Sequence, residues 1–556
     1  MHGQAYNWGA ILEEVGVRHH HLYSELEAAN FAALVRRFQH QNDAYATLSA
    51  YLIFGAAAVL GREQQASTDA LGYHGRLNAK TKAVSLYFWA EEAIAHQQYQ
   101  TAEGLLAPLL EAYPGDPSLN ALVATSCFYS RELERGWAYL NKGIEADPKS
   151  KQLNSLLCRY LLSEGSLPQA ADVASALLAI DPFEPVAFNT LSRVAPSGVS
   201  PALTERFEHR ALEGSLGPIT SAGMFFDLGR IYEAKGEFDR AFDAVKSGNA
   251  CMQSIPSVTG QMFDANRDYE AFKKQAALFD MLEPCSLPTG LTPVFIVGLP
   301  RTGSTLLDQA LSAHPSTVSL GEDDIMPRII QEAEALLKEG RLTDAQRRLR
   351  VWKAQFADHA RRMAQNISKT NAPLRYVVDK MLGNSRHLGF LAKLFPEAVF
   401  INSCRDLRDV GLSVYFSPLH RANTYATDQR AIGDFMALEA KVMSHWATQG
   451  LVVEAVQYET LVDAFEPTLR RVMDHIGMTW HDDCLKFHKL QRPVYTYSAH
   501  QVRKKLYRQS VARWRHYEKQ LQPLITRLEA SGLVEKSDTV VAFNGGRQKV
   551  PSQLSY

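Results

Sequence analysis

A glycine-containing turn between two apolar segments is the part of the chain best suited to chemistry. The apolar run 294–297 predicts a β-strand, and residues 304–311 continue with apolar side chains at helical spacing. Gly298 and Gly303 lie in the turn between them. A strand, a glycine turn and a helix in this order direct backbone N–H groups and the positive end of the helix dipole at one point. The sequence therefore predicts an anion-binding loop inside an α/β domain.

The loop differs from that of ATP and GTP enzymes at one position. In those enzymes a lysine follows the second glycine and contacts the β- and γ-phosphates. Ser304 and Thr305 stand there instead, and Arg301 lies within the loop. We therefore expect the loop to bind a phosphate-like group of a different nucleotide. Taken alone, the loop is also compatible with an ordinary strand-to-helix turn.

Two further strand-like segments are followed by basic residues. The segment 376–380 ends in Lys380, and the apolar segment 398–404 is followed directly by Arg405. Ligands of open α/β sheets bind at the carboxyl ends of the strands. A dianionic phosphate is bound better by arginine than by lysine, because the forked guanidinium can donate two hydrogen bonds to it. For Lys380 the alternative is a surface lysine paired with Asp379.

These segments together resemble the sulfotransferases that use 3′-phosphoadenosine-5′-phosphosulfate (PAPS). The resemblance is to the tyrosylprotein sulfotransferases and to bacterial sulfotransferases with tetratricopeptide repeats, and it covers about residues 290–535. It implies a P-loop-like α/β domain with a parallel sheet and PAPS as co-substrate. It implies no metal, and no ligand cluster is visible in the sequence.

The resemblance also implies a donor site with two ends. The residues expected to hold the 5′-phosphosulfate are Arg301, Thr302, Gly303, Ser304 and Thr305. Arg405 and Ser413 match the family's 3′-phosphate site, an arginine after a strand and a serine eight residues later in a helix. Tyr458 matches a tyrosine that contacts the nucleotide.

A basic segment follows in the sequence. Residues 486–519 hold ten Lys or Arg and one acid, a balance that suits a polyanionic ligand. Within it, Ser498 and Arg513 match residues that fold over the phosphosulfate in the related enzymes, with arginine in place of their lysine. A solvated face or a nucleic-acid-binding face is the alternative interpretation.

The catalytic roles are likewise implied by the resemblance. Glu322 matches the glutamate that acts as general base, and an attacking hydroxyl or phenol needs such a group because it loses its proton as the new bond forms. Lys380 and Arg301 are expected to stabilise the charge on the transferred group and on the leaving phosphate. Asp323 and Asp324 remain alternative bases.

The N-terminal half has a different organisation. Small residues recur 34 positions apart at Ala102, Gly136 and Ala170, and each is followed twelve positions later by a proline. This period predicts a tetratricopeptide repeat array over residues 85–281. Such arrays present a concave surface, so we expect a peptide or protein partner there. A purely structural arm is the alternative.

The remaining boundaries follow from composition. We predict a helical region over 1–84, a linker over 282–291, the sulfotransferase domain over 292–535 and a tail over 536–556. The uncharged segment 44–61 approaches the length that spans a bilayer, but its alanines and polar residues favour a buried helix.

Overall composition is that of a soluble globular protein of several domains. The 556 residues carry a net charge of −1, which provides no global field for nucleic acid or an anionic membrane. The six cysteines are scattered, and the N-terminus lacks the layout of a signal peptide. We therefore expect a cytoplasmic protein without a membrane span, and a homodimer is one option.

The sequence thus predicts an N-terminal helical repeat array joined to a sulfotransferase domain. The expected activity is transfer of the sulfuryl group of PAPS to a hydroxyl or amine of a peptide or protein, with tyrosine as one candidate. The alternatives are a kinase-like ATP enzyme, disfavoured by the missing loop lysine, and a repeat scaffold with an inactive nucleotide fold. The scaffold is disfavoured by the joint presence of Arg301, Glu322, Lys380, Arg405 and Ser413.

Overall fold

The structure is a computed structural model. It describes residues 79–95, 98–130, 132–255, 262–367, 372–419, 423–490, 506 and 508–535. The segment 44–61 and Ser498 lie outside the described residues. Two compact units divide the chain between Val194 and Ala195, with Ser163–Gly165 grouped with the second. The predicted linker 282–291 therefore lies inside the second unit. No helix among the described residues is both long and apolar enough to cross a membrane.

The described part of the first unit consists of helices. They are α1 Ala79–Ala95, α2 Tyr99–Ala112, α3 Pro117–Tyr129, α4 Leu133–Ala146, α5 Lys151–Glu164, α6 Leu167–Ile180 and α7 Pro185–Val194. Helices α2, α4 and α6 start at positions 99, 133 and 167, so the period of 34 residues seen in the sequence is also the period of the helices. The recurring small residues are buried in these three helices. The helical pairing is thus observed, and its assignment to the tetratricopeptide family stays a prediction.

Gly136 shows why a small residue is needed at the periodic position. A Cβ atom on Gly136 would lie 1.9 Å from the hydroxyl oxygen of Tyr160 on the following helix. The Tyr160 hydroxyl donates a hydrogen bond of 2.7 Å to the carbonyl of Ala124. Helix α4 therefore has no side chain where Tyr160 crosses it, and the tyrosine reaches the backbone of α3.

The second unit begins with further helices and continues into an α/β domain. Its helices are α8 Pro201–Glu213, α9 Pro218–Ala234, α10 Phe238–Gln253, α11 Ala265–Asp280, α12 Ser304–Ser312, α13 Ile325–Lys338, α14 Leu342–Ile367, α15 Leu388–Leu394, α16 Leu407–Tyr415, α17 Gln429–Thr448, α18 Tyr458–Asp463, α19 Phe465–Ile476 and α20 Gln522–Ala530. Its strands are β1 Thr292–Gly298, β2 Thr317–Gly321, β3 Tyr376–Asp379, β4 Val399–Cys404 and β5 Val453–Gln457.

The five strands form one parallel sheet in the order β2-β3-β1-β4-β5 within the described residues. Strand β1 shows why the sheet is covered on both faces. Phe295 and Val297 point into one buried cluster, whereas Val294 and Ile296 point into another on the opposite face. Parallel sheets bury both faces in this way because their crossover helices cover them. The predicted α/β domain with a parallel sheet is confirmed.

This strand order determines where the candidate residues lie. Strand β1, which leads into the glycine loop, is central, with β3 on one side and β4 on the other. Lys380 follows β3 and Arg405 follows β4. All strands are parallel, so these residues and the loop share the carboxyl edge of the sheet, where ligands bind in this class of fold.

Candidate active site

The loop after β1 has an unusual backbone. Gly298 has φ 126°, Arg301 has φ 71° and Gly303 has φ 90°. A Cβ atom on Gly298 would lie 2.7 Å from the Asn402 side-chain oxygen, so β4 approaches the loop as closely as glycine permits. Arg301 has a side chain and still adopts a left-handed conformation, which costs about 1–2 kcal/mol. Backbone strain of this kind is concentrated at functional sites.

Side-chain hydroxyls fasten the loop to itself and to β4. Thr302 Oγ1 donates to the carbonyl of Leu299 over 2.9 Å, and Ser403 Oγ donates to the carbonyl of Thr302 over 3.2 Å. Ser304 and Thr305 open helix α12 and are buried. The first N–H groups of a helix have no partners within it. The loop and the start of α12 therefore offer backbone donors where the sequence predicts an anion.

Tyr458 lies directly against the loop. A Cβ atom on Gly303 would be 2.4 Å from the Tyr458 ring. The guanidinium of Arg405 lies 4.9 Å from the centre of the same ring. Burial raises the pKa of the Tyr458 hydroxyl, and Arg405 opposes that effect. The uncharged tyrosine ring therefore packs between the glycine loop and the arginine.

Arg405 forms the other side of the candidate site. Its Nη1 donates to the carbonyl of Arg301 over 3.0 Å, and its Nη2 donates to the carbonyl of Ser510. Asp409 lies one helical turn further on, with Oδ2 3.7 Å from Nη2. The buried Nε of Arg405 has no hydrogen-bond partner among the described residues. One donor of a buried guanidinium is therefore left for an additional acceptor.

Ser413 on α16 joins the two predicted halves of the donor site. Nε of Arg301 donates to Oγ of Ser413 over 2.9 Å. The serine is buried. Arg301 comes from the loop predicted to hold the 5′-phosphosulfate, whereas Arg405 and Ser413 come from the predicted 3′-phosphate site. The fold brings these three residues into one hydrogen-bonded group.

Glu322 and Lys380 meet on the opposite side of β1. Nζ of Lys380 donates to Oε1 of Glu322. The Lys380 side chain is 2% exposed and that of Glu322 is 45% exposed. The Lys380 backbone N–H donates to the carbonyl of Gly321 over 2.9 Å, which aligns the ends of β2 and β3. A buried cation thus faces a carboxylate that solvent or an acceptor can reach.

The neighbouring Asp379 is completely buried. Burial raises its pKa to about 7; hydrogen bonding from the Met381 backbone and the charge of Lys380 lower it, and Asp323 and Asp308 raise it. Asp379 Oδ1 accepts from the Met381 N–H and from Asn384 Nδ2, each over 3.1 Å. Asp379 does not pair with Lys380 in any described contact, in contrast to the alternative considered from the sequence.

The two alternative bases have other partners. Oδ2 of Asp323 lies 3.2 Å from Nε2 of His359. Oδ1 of Asp324 pairs with Arg328 over 3.1 Å, and the Asp324 side chain is 74% exposed. Of the three acids, Glu322 is the one in contact with Lys380. Which of the three acids acts as the base stays a prediction.

Arg513 lies in a different contact from the one predicted. Its guanidinium forms a two-pronged ion pair with Glu233 on helix α9, in which Nη2 is 2.7 Å from Oε2. The described contacts do not bring it to the loop or to Arg405. Ser498, predicted with it to fold over the phosphosulfate, lies outside the described residues. The roles of both in donor binding stay predictions.

Two residues near the site carried no assignment from the sequence. Asp409 accepts hydrogen bonds from the backbone N–H groups of Ala512 and Trp514. It lies in the first turn of α16, four residues after Arg405, and this short spacing is a signal that could have placed it beside the guanidinium. Glu233 pairs with a residue 280 positions away, and no local pattern indicates such a contact.

Elsewhere, one group of potential metal ligands occurs among the described residues. It consists of Glu103, Cys127 and Glu132 in the first unit. Arg135 pairs with both carboxylates, at 2.6 Å and 2.8 Å. The arginine therefore already pairs with the two carboxylates that a metal would need.

Comparison with known proteins defines the class of the C-terminal domain. Residues 293–482 match the sequence profile described as Sulfotransferase family. The matched segment begins at the second residue of β1 and includes the loop and the residues Arg301, Glu322, Lys380, Arg405 and Ser413. The second unit therefore contains a sulfotransferase domain with similarity to the protein-tyrosine sulfotransferases.

Individual relatives span different parts of the chain. An uncharacterised protein of Aquifex aeolicus is 26% identical over 414 residues, which are 70% of this chain and 53% of that protein. Protein-tyrosine sulfotransferase 2 of Gallus gallus is 27% identical over 208 residues, 35% of this chain and 54% of that protein. Protein-tyrosine sulfotransferase 1 of Homo sapiens is 31% identical over 121 residues, 21% of this chain and 31% of that protein. The matches to the first two relatives cover about half of each protein's length.

Solved structures give a weaker likeness. The sulfotransferase domain of the Synechococcus PCC 7002 olefin synthase is 20% identical, with a TM-score of 0.31, and covers 44% of this chain and 95% of that one. The sulfotransferase domain of the curacin biosynthetic pathway is 16% identical, with a TM-score of 0.29, over 44% and 98%. Scores of this size support no inference about the site.

Proposed function

We propose that the C-terminal domain transfers the sulfuryl group of PAPS to a hydroxyl or amine of an acceptor. The observation that carries this proposal is the hydrogen-bonded convergence of Arg301, Arg405 and Ser413 beside a glycine loop that lacks the lysine of triphosphate enzymes. The match to the Sulfotransferase family over the same residues supports it.

The chemistry of the side chains fits both anionic ends of PAPS. Residues 301–305 would hold the 5′-phosphosulfate with backbone N–H groups, hydroxyls and the Arg301 guanidinium. Arg405 and Ser413 would hold the 3′-phosphate, for which the unpartnered buried Nε of Arg405 is a ready donor. The ring of Tyr458 would lie between the two ends. Hydrogen bonds from a guanidinium to phosphate are among the strong ones in proteins.

The proposed reaction is an in-line displacement at sulfur. The acceptor oxygen or nitrogen forms a bond to sulfur while the bond from sulfur to the bridging phosphate oxygen breaks. The acceptor proton passes to the carboxylate of Glu322, and the bond's electron pair leaves on the phosphate. Lys380 and Arg301 stabilise the charge that develops there. The contact between Lys380 and Glu322 supports a shared site for the proposed base and the proposed cation.

For the acceptor, we propose a peptide or protein. The names of the protein-tyrosine sulfotransferases describe such acceptors for those relatives. Glu322 is half exposed, so a side chain on a larger molecule can reach it. We further propose that the helical repeats of the first unit help to bind this partner.

Nucleotide binding tests the donor assignment. Adenosine 3′,5′-bisphosphate should stabilise the protein in a thermal-shift assay more than ATP, GTP or AMP. Arg405→Ala should weaken bisphosphate binding by roughly a hundredfold, because a buried charge-assisted contact is lost. AMP should lose less affinity, because it loses only the support that Arg405 gives to the loop through the Arg301 carbonyl. Arg470→Ala removes an arginine that is paired with Glu466 on an exposed face and serves as control. Equal losses for both nucleotides would contradict a 3′-phosphate role.

Transfer itself is tested with sulfur-labelled PAPS and cell extract. Label should enter the protein or peptide fraction and remain there after gel filtration in denaturant. Incorporation only into small molecules would contradict the proposed acceptor class. Tight binding of ATP with no bisphosphate binding would support a kinase-like enzyme instead.

A further inference from the structure

A turn formed by residues 510–514 closes one side of Arg405. The carbonyl of Ser510 accepts from Nη2 of Arg405. The carboxylate of Asp409 accepts from the backbone N–H groups of Ala512, over 2.8 Å, and Trp514, over 2.9 Å. Asp409 is 1% exposed. The turn is therefore attached both to Arg405 and to the helix that carries Ser413.

Helix α9 also contacts the 510–514 turn and the residues that follow it. The Glu233 carboxylate takes both prongs of the Arg513 guanidinium and also accepts from the hydroxyl of Tyr517 over 3.1 Å. The Phe238 ring, at the start of α10, stacks on His516 with centroids 4.3 Å apart. These contacts lie within the second unit.

Helix α10 also supports α16 directly. Asn249 Nδ2 donates to the carbonyl of Tyr415 over 2.9 Å, and the ring of Phe242 stacks on that of Tyr415 with centroids 5.5 Å apart. Tyr415 is two residues after Ser413 on the same helix. The α9–α10 hairpin, which the sequence assigns to the repeat array, therefore packs against the nucleotide side of the candidate site.

Backbone strain marks the two turns that Arg405 joins. Arg301 and Ala512 are the two non-glycine residues with positive φ in the described part of the chain, at 71° and 56°. Arg405 donates to the carbonyl of Arg301 itself and to that of Ser510, two residues before Ala512. Such conformations persist only where surrounding contacts enforce them. In the turn that contains Ala512, the contacts that enforce the conformation are made by Asp409 and Glu233.

We propose that Glu233 is a positioning residue for the nucleotide site. By pairing with Arg513, Glu233 keeps the 510–514 turn in its strained conformation. The carbonyl of Ser510 in that turn then orients the Arg405 guanidinium towards the 3′-phosphate. The inference rests on the proposed function. It assigns Arg513 a structural role, because both prongs of its guanidinium are occupied by Glu233. The α9–α10 hairpin thereby becomes part of the donor site.

The test compares Glu233→Gln with the wild-type full chain. The variant keeps the side-chain shape but loses the charge, so Kd for adenosine 3′,5′-bisphosphate and KM for PAPS should rise roughly tenfold or more. The rate at saturating PAPS should change little, because Glu322 and Lys380 are untouched. Hydrogen exchange of residues 508–517 should accelerate. Asp239→Asn removes an exposed charge from the same hairpin while keeping an acceptor for Gln520, and is the matched control. It should leave Kd, KM and hydrogen exchange unchanged.

The outcomes separate this inference from the proposed function. If the wild type binds the bisphosphate and Glu233→Gln binds it equally well, the positioning role is wrong while the function stands. If the wild type binds no bisphosphate, the proposed function fails and the role of Glu233 fails with it. Should Glu233→Gln not fold, Tyr517→Phe removes one hydroxyl from the same carboxylate and must show a smaller rise in Kd. An unchanged Kd in that variant also overturns the inference.

Discussion

Arg405 donates a hydrogen bond of 3.0 Å from Nη1 to the backbone carbonyl of Arg301. The residue predicted to bind one end of the nucleotide thus holds the backbone of the loop predicted to bind the other end. In the other direction, Nε of Arg301 donates a hydrogen bond of 2.9 Å to Oγ of Ser413, which belongs to the predicted 3′-phosphate site. Binding at either end is therefore expected to order the other, because both ends share the same three residues.

Substitution of Glu322 tests the assignment of the base. Glu322→Gln should lower turnover by roughly a hundredfold or more, because a glutamine amide cannot take the proton from the attacking hydroxyl or amine. Nucleotide affinity should change little, since Glu322 lies on the β2–β3 side of β1 and Arg405 on the β4 side. Steady-state kinetics with varied PAPS and calorimetry with the bisphosphate measure the two effects.

Asp324→Asn provides the matched control for this measurement. Asp324 lies two residues further on and pairs with Arg328 on the surface, so its substitution should leave turnover unchanged. Asp323→Asn, which removes the carboxylate beside His359, tests the remaining candidate. Full activity in Glu322→Gln together with loss in Asp323→Asn would move the base to Asp323.

Gly303→Ala tests the contact between the loop and Tyr458. The new Cβ would lie 2.4 Å from the tyrosine ring, and φ is 90°. Gly340→Ala is the matched control, because Gly340 also has positive φ, at 73°, but nothing lies within 4 Å of its Cβ position. Both variants should lose about 1–2 kcal/mol from the left-handed backbone. Only Gly303→Ala should add an overpacking cost of about 1–3 kcal/mol and lose bisphosphate affinity.

Thermal unfolding and calorimetry measure these two losses separately. In a double-mutant cycle, Gly303→Ala should lose its overpacking cost when it is introduced into Tyr458→Ala, because the ring no longer occupies the space of the new Cβ. A similar loss of affinity in Gly340→Ala would mean that backbone strain, and not the tyrosine, is responsible.

Asp379 predicts a pH dependence of stability. Burial raises its pKa from 3.8 to about 7 in the folded protein. The folded state therefore holds the proton more tightly than the unfolded state. The resulting stabilisation is complete below about pH 4, declines as pH rises and is lost above about pH 7. Its size is of the order of a few kcal/mol.

Asp379→Asn should remove this dependence. Hydrogen exchange of the β3 amides at several pH values should show that the stability difference between wild type and variant falls between about pH 4 and pH 7 and is constant above. Asp358→Asn, at a position 60% exposed on α14, is the control and should show no such trend. A difference that grows with pH would show that Asp379 is charged in the folded state.

The sequence predicted the local elements of the site well. Strand 294–297 and helix 304–311 are observed as Thr292–Gly298 and Ser304–Ser312. These elements depend on apolar periodicity and on glycine, both of which are local properties. The 34-residue period likewise reappears in the starts of α2, α4 and α6.

Contacts over long sequence separations could not be predicted in the same way. Glu233 and Arg513 are 280 positions apart, and neither stands in a pattern that names its partner. The resemblance to a family implied a donor contact for Arg513, which stays a prediction, but it gave no signal of the ion pair with Glu233. Such pairs arise from the packing of the helical hairpin on the sheet domain, which local patterns do not encode.

Gly136→Ala tests the close packing of the first unit. A Cβ there would lie 1.9 Å from the Tyr160 hydroxyl and 2.9 Å from the ring carbon that bears it. Tyr160 would have to move and give up its bond to the Ala124 carbonyl, so we expect a loss of about 1–3 kcal/mol. Gly104→Ala is the control, since Gly104 is on an exposed part of α2 with nothing within 4 Å. It should stabilise its helix by up to about 1 kcal/mol. Hydrogen exchange of α3 to α5 measures the loss, and equal protection in the two variants would mean that the periodic glycine is not needed for helix packing.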